Sequence, residues 1–243
     1  MIEQIYSELL KTRTTRTAAV ILLASAGLTL LGVFIEGSSS TLGKLAQEDQ
    51  QRTLLGAGSA AVFFATIAGI TMVTSEYRYG TIHPTLLFEP RRGVVLASKL
   101  VAAMLVGLLF GAVCVGLSVG VGRGILAARD VHVVLSSSDT VALAFGTIGA
   151  STLGAMLGVA IGTLIRNQVG AIIAVVAYAF VVDALLFASV PSVGRYLPGK
   201  AGDALAGRGV DHLLSPGPGA AVLIAWMLAF VAAAAVRDAH SDV

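Results

Sequence analysis

The chain has 243 residues, of which 56% are hydrophobic and 12% charged, with a mean hydropathy of +0.87 and a formal net charge of +2. A soluble domain usually carries about 25% charged residues, so these few charges cannot cover a globular surface of this size. The single cysteine, Cys114, excludes an intrachain disulfide scaffold, and the small net charge argues against nucleic-acid binding. A polytopic membrane protein remains.

In chain order, residues 2–10 come first. Ile2, Ile5, Tyr6, Leu9 and Leu10 share one helical face, and Glu3, Gln4, Ser7 and Glu8 lie elsewhere. This spacing predicts an amphipathic helix within 1–16, lying along the membrane interface. It is either a surface anchor or a lever that touches a partner.

The spans follow from the intervals between charges. A bilayer core of about 30 Å needs about 20 helical residues at about 1.5 Å each. Residues 17–35, 53–75, 100–122, 140–165 and 212–236 are uncharged, and 167–194 is broken only by Asp183. The expectation is one all-α transmembrane domain over 1–243, with spans at about 17–35, 53–74, 98–122, 140–165, 169–190 and 217–236. The first is expected to be a span rather than a cleavable signal, because its apolar run is long and Leu31-Gly-Val-Phe-Ile35 is no small-residue cleavage site. Lys11, Arg13 and Arg16 precede it and place the N-terminus in the cytoplasm, and six spans return the C-terminus there. Nine Lys and Arg then fall inside and seven outside, with the clusters at 11–16 and 91–99 both inside.

The longest connections are 75–93 inside and 191–216 outside, neither long enough for a separate catalytic domain. In the first, a short helix is expected from Gly80 or Thr81 to Phe88. Pro84 suits its first turn, and Pro90 stops it. Arg91, Arg92 and Lys99 then mark the headgroup zone. The outer loop is rich in Gly and Pro, with a short helix expected at 200–206; it either caps a pathway or serves as a linker.

Within the spans, small residues recur at four-residue spacing: Gly107 and Gly111; Gly116, Gly120 and Gly124; and Gly146, Ala150, Gly154, Gly158 and Gly162. Such stripes let helix backbones approach closely in lipid, and Gly154, Gly158 and Gly162 are assigned to packing, either within the chain or between subunits. Asp183 is the one ionisable residue inside a span. It sits roughly 21 Å into a core of about 30 Å, in the outer leaflet. Intramembrane carboxylates face a cavity or a partner, so Asp183 is either a polar point on a translocation path or bonded to a neighbouring span or the outer surface.

Catalytic motifs fail on inspection. Gly194 to Ala201 approaches P-loop spacing, but Ala201 stands where a Mg²⁺-binding hydroxyl is needed and no strand precedes the loop. Ser151 lacks a base, since His83, His132, His212 and His240 all fall outside the spans. No metal-ligand spacing is present.

At 75–99 the sequence resembles the permease subunits of bacterial ABC-2 type transporters. The residues that carry this are Glu76, Arg78, Gly80 and Thr81 at the end of span two, then Pro90, Arg92 and Lys99. The tail Val236-Arg237-Asp238 is similar to the family's basic-Asp ending, and the arrangement of an N-terminal amphipathic helix, six spans and a long last outer loop matches too. The resemblance implies a type V exporter-like fold in which the helix between spans two and three couples to a separate ATP-binding subunit. Glu76, Arg78, Gly80, Thr81, His83, Pro84, Leu87, Pro90 and Arg92 would form that contact. It further implies two ATPase subunits, a second permease chain that is identical or related, and a pathway lined by spans two and five. Here those spans offer Phe63, Phe64, Ile67, Thr71, Phe180, Asp183 and Phe187. The chain would then be no enzyme itself. ATP and Mg would reside in the partner, and no cofactor, metal or nucleic acid in this chain. The expected setting is the bacterial cytoplasmic membrane. The competing readings are an ATP-independent carrier, which should show inverted repeats that are not evident, a non-transporting membrane assembly subunit, and an intramembrane enzyme built on Ser151.

Overall fold

The computed structural model describes residues 2–240, without the side chains of Ile2, Arg13, Thr14, His83 and Leu86. Among the described residues the chain is helical, with no strand. Helix α1 (Ile2–Thr14) leads into α2 (Arg16–Ser39). Two short helices, α3 (Leu42–Leu45) and α4 (Glu48–Leu55), pass through a 3-10 turn at Gly56–Ser59 into α5 (Ala60–Tyr79). Helix α6 (Ile82–Phe88) precedes α7 (Arg92–Ala128) and α8 (Ser137–Ile165). Helices α9 (Gln168–Ala177) and α10 (Asp183–Ser189) are joined by a π turn at Tyr178–Val182. Helices α11 (Pro191–Gly194), α12 (Pro198–Leu205) and α13 (Pro216–Ala239) complete the order.

Six helical stretches are long and apolar enough to cross a membrane: Arg16–Ser39, Glu48–Tyr79, Arg92–Ala128, Ser137–Ile165, Gln168–Ser189 and Pro216–Ala239. The protein is a multi-pass helical membrane protein. Several helices outrun the charge-free intervals, because a charged residue can continue a helix once it has left the hydrocarbon. The 37 residues of α7 measure about 55 Å, well beyond a core of about 30 Å. The end of the bundle that carries both termini and α6 is here called proximal; the end that carries α3, α4 and α12 is distal.

Spans two and four form the interior, each 56% buried along its most apolar stretch, against 17% for spans one and five. Lipid offers helices no hydrophobic drive to associate, so close backbone packing has to hold them. A Cβ on Gly158 would collide with the Thr66 carbonyl oxygen, and one on Gly69 with that of Ala155. On the same face of α8, Gly154 meets Thr66 and Val62, and Gly162 lies against Ile70. Gly107 and Gly111 of α7 are pressed against Ser151 and Ile148 of α8. The stripe Gly154, Gly158 and Gly162 therefore packs within the chain, against span two. Buried hydroxyls such as Thr74 and Ser151 bond one turn back, to the Ile70 and Thr147 carbonyls at 2.8 Å each, whereas buried Thr29 Oγ1 has no partner among the described residues.

The two connections settle in different ways. Gly80, expected at the start of the inner helix, instead ends α5 in the left-handed conformation with φ of 70°, and α6 begins at Ile82. Only glycine takes that cap without strain, so the helix start moves by a residue or two. At the distal end the expected helix at 200–206 is α12, set one to two residues earlier because Pro198 suits a first turn. A Cβ on Gly146 of α8 would strike the Leu205 carbonyl oxygen, so α12 lies directly on span four. The Trp226 indole donates to the Tyr196 carbonyl at 2.9 Å, tying the loop to span six as well. Gln51, fully buried, stitches the other distal loops: it donates to the Leu45 and His132 carbonyls and accepts from the Val134 and Leu135 amides.

Candidate functional site

Four charged side chains meet at the proximal end. Glu76 lies in the last turn of α5, Lys99 two turns into α7, and Glu8 and Lys11 one turn apart on α1. Lys99 donates to Glu8 Oε2 at 2.8 Å and to Glu76 Oε1 at 2.7 Å. Lys11 donates to Glu8 Oε1 at 2.7 Å and to the same Glu76 oxygen at 2.8 Å. The result is a closed ring of alternating acid and base, neutral overall, with Glu8 2%, Lys99 3% and Glu76 4% exposed. Glu76 Oε2 is buried without a hydrogen-bond partner.

Charges are buried here only because each has two partners; one left alone would cost several kcal/mol, on the order of 3–5. Burial pushes the Glu8 carboxyl up. The Lys99 charge, with hydrogen bonds from Lys11 and Lys99, outweighs that and holds it below the ordinary glutamate range. Burial likewise pushes the Lys11 ammonium down, but its bonds to Glu76 and Glu8 prevail and raise it.

Sequence reasoning placed Glu8 on the solvated side of the N-terminal helix. That expectation is corrected: Glu8 is buried, 2% exposed. Its Lys99 partner lies 91 residues away along the chain, and Lys11 reaches Glu76 65 residues away, so local periodicity could not weigh them. Glu8 and Lys11 are the site members that the sequence missed; the signal that pointed to them was a Glu and a Lys three residues apart on a helix ahead of an uncompensated Glu76 and Lys99.

A second polar group closes the same end. Arg166 bonds Asp238 Oδ1 at 2.6 Å and stacks over the Tyr77 ring at 5.4 Å, and Arg92 donates to the Asp238 carbonyl at 2.8 Å. Asp238, in the last turn of α13, thus gathers the ends of spans three and four. Arg166 itself caps α8 at φ of 56°, a conformation a side chain so anchored can hold. A small cavity with room for about one water lies between the two groups, lined in part by Tyr77, Arg92, Lys99, Thr163 and Asp238.

The other residues expected to contact a partner lie on or beside α6. Leu87 is 84% and Phe88 92% exposed, while Ile82 is buried. Thr81 donates its amide to the Glu76 carbonyl at 3.0 Å. Pro84 and Pro90 are exposed, and the His83 side chain lies outside the described residues. Arg78 is exposed and reaches Gln168 at 3.4 Å. Glu76 belongs to the buried ring, not to this surface, so it can act on a partner only through the elements it joins.

Of the residues expected along a pathway, Phe63 touches Phe64 and Phe180 edge to face, with centroids 5.6 and 5.7 Å apart. This joins spans two and five. Phe64 also packs on the central apolar core, Ile67 is partly exposed, and Thr71 is buried and bonded to the Ala68 carbonyl. Phe180 is 70% exposed. Asp183 does not face open space: it is buried, with Oδ2 3.4 Å from Lys200 Nζ and the Tyr178 hydroxyl 3.4 Å from Oδ1. Lys200 also lies over the Phe187 ring at 5.2 Å. Among the described residues, no group of three or more His, Cys, Asp or Glu side chains is placed to hold a metal.

Comparison with known protein families finds no matching family, and comparison with curated proteins finds no matching sequence.

Proposed function

We propose that the chain is the permease subunit of an ATP-driven ABC-2 type exporter in a bacterial cytoplasmic membrane, with both termini cytoplasmic. It would work as a pair with an identical or related permease and with two separate ATP-binding subunits that hold ATP and Mg. The observation that carries this reading is α6: a short helix between two spans that presents Leu87 and Phe88 almost wholly outward beside the buried ring. Large apolar side chains so exposed at the proximal end suit a protein partner.

The ring then has a mechanical role. α1, span two and span three meet in it, so a push on α6 is delivered to a joint of three helices instead of being absorbed by one. Gly80 and Pro90 bracket α6 as turns, and the ring follows within a turn or two on either side. Further along span two, Phe63 meets Phe180 of span five, so tilting span two bears on the helix expected to line the pathway with it. A lining of Phe63, Phe64, Ile67 and Phe180 suits a hydrophobic or amphipathic cargo.

The test is affinity purification of the tagged chain in mild detergent, with ATP hydrolysis assayed on the eluate. The expected result is a stoichiometric soluble ATPase that is lost from L87S/F88S. A chain that purifies stable and alone in several mild detergents overturns the proposal and favours a carrier or assembly subunit.

A further inference from the structure

We propose that the Asp183–Lys200 ion pair is a latch that closes the distal end of the protein, and that outward opening separates span five from the loop helix α12 at this pair. The inference rests on the permease reading for its role in transport.

The argument starts from where α12 is firmly held. Its Leu205 carbonyl seats in the space that Gly146 leaves on span four. A Cβ on Gly219 of span six would come within 2.8 Å of the Ala204 Cβ. With the Trp226 bond to Tyr196, these contacts make α12 part of the body formed by spans four and six. Close glycine contacts of this kind have no slack.

The contact with span five is of another kind. Among the described residues, the side-chain ties that cross from span five to α12 are made by Lys200: to Asp183 at 3.4 Å and over the Phe187 ring at 5.2 Å. Lys200 is shared, since Asp203 accepts from it at 3.4 Å and is itself bonded by Arg208 at 3.0 Å. Lys200 can therefore leave Asp183 and keep a carboxylate partner. Asp183, left by Lys200, keeps the Tyr178 hydroxyl. Gly199 also lies against Asp183, but an added Cβ there would meet the carboxylate, a side chain that can turn away, and not backbone as at Gly146 and Gly219.

Span five is built to move. It is 17% buried along its most apolar stretch. Its helix is interrupted at Tyr178–Val182 by a π turn, which ends where Asp183 begins; such turns are frequent at functional positions and loosen the regular ladder. The chain from span five into α11 stays with span five, because Gly194 lies against Phe187 at a distance no Cβ would allow. The hinge is then Arg195–Leu197, between α11 and α12. Closed, the latch neutralises Asp183; open, it bares that acid on the side where cargo would leave.

The experiment places spin labels at Ser189→Cys, atop span five, and Val210→Cys, beyond α12, in a Cys114→Ala chain in lipid nanodiscs. It reads their distance distribution by electron–electron resonance. The expected result is one dominant distance in the parent. Asp183→Asn or Lys200→Gln should raise the ratio of a longer to the shorter distance on the order of tenfold, and D183K/K200D should bring it back toward the parent. An unchanged distribution in both neutralised variants, or a reversal no better than either, overturns the latch. These readings need no ATPase, so they are distinct from failure of the permease reading.

Should the neutralised variants not fold, Asp183→Cys/Gly199→Cys in the same background staples the joint. The latch predicts that oxidation strongly slows amide exchange over the hinge at 195–197 and stops ATP turnover of the purified complex, both reversed by reductant. Exchange that is the same oxidised and reduced, or undiminished turnover with the cross-link fully formed, overturns it.

Discussion

The two ends of the bundle solve one problem in opposite ways. At each, an acid on a span is met by a lysine from another element. At the proximal end two acids and two bases close a ring whose four contacts are all 2.7–2.8 Å, and three helices enter it. At the distal end Asp183 meets one lysine at 3.4 Å, and that lysine is shared with Asp203. No helix can leave this ring without breaking two of its short contacts at once, so it behaves as a rigid joint. A chain of charges with a spare partner at each link can part and re-form. The lesson is that the number of contacts that must break together, more than burial alone, decides whether a buried ion pair fixes a structure or gates it.

The comparison breaks most visibly at Lys99. Lys99→Met leaves Glu8 and Glu76 buried with only half-exposed Lys11 between them, and it is expected to cost about 3–5 kcal/mol and to release α1. Thermal unfolding in detergent, with proteolysis of the N-terminal segment, checks this. Asp183→Asn should cost less, about 1–3 kcal/mol, because Lys200 keeps Asp203 and the amide can still accept from Tyr178. A loss equal to that of Lys99→Met would erase the distinction drawn between the two ends.

Acid sharpens the contrast further. Glu8 titrates below the ordinary glutamate value, so its contribution is complete above about pH 4.3 and fades as pH falls through the lowered value. Lys11 is raised, so its contribution is complete below about pH 10.4 and fades as pH rises through the raised value. These two contributions should therefore be intact from about pH 4.3 to about pH 10.4, with α1 protected from amide exchange across that window and exposed as pH falls through the lowered Glu8 value. The smallest effect is expected at α6: L87S/F88S should change stability by less than about 0.5 kcal/mol, since both side chains already face outward, while abolishing ATPase capture. A large loss of stability there would mean that α6 is a packing element instead.

The sequence by itself determined that this is a helical membrane protein with six spans, because charge-free length is a one-dimensional property that lipid reads directly. It also marked Gly154, Gly158 and Gly162 as a close-packing face, since spacing along one helix is local. Only the tertiary structure decided which elements share a charge. Glu8 looked solvated until α1 folded against α5 and α7. Asp183 stood between a point on a pathway and a bond to a neighbour until α12, seated on Gly146, brought Lys200 to it. Pairing between charges dozens of residues apart depends on where helices cross, and that is set by the packing of whole faces, which no short window of sequence contains.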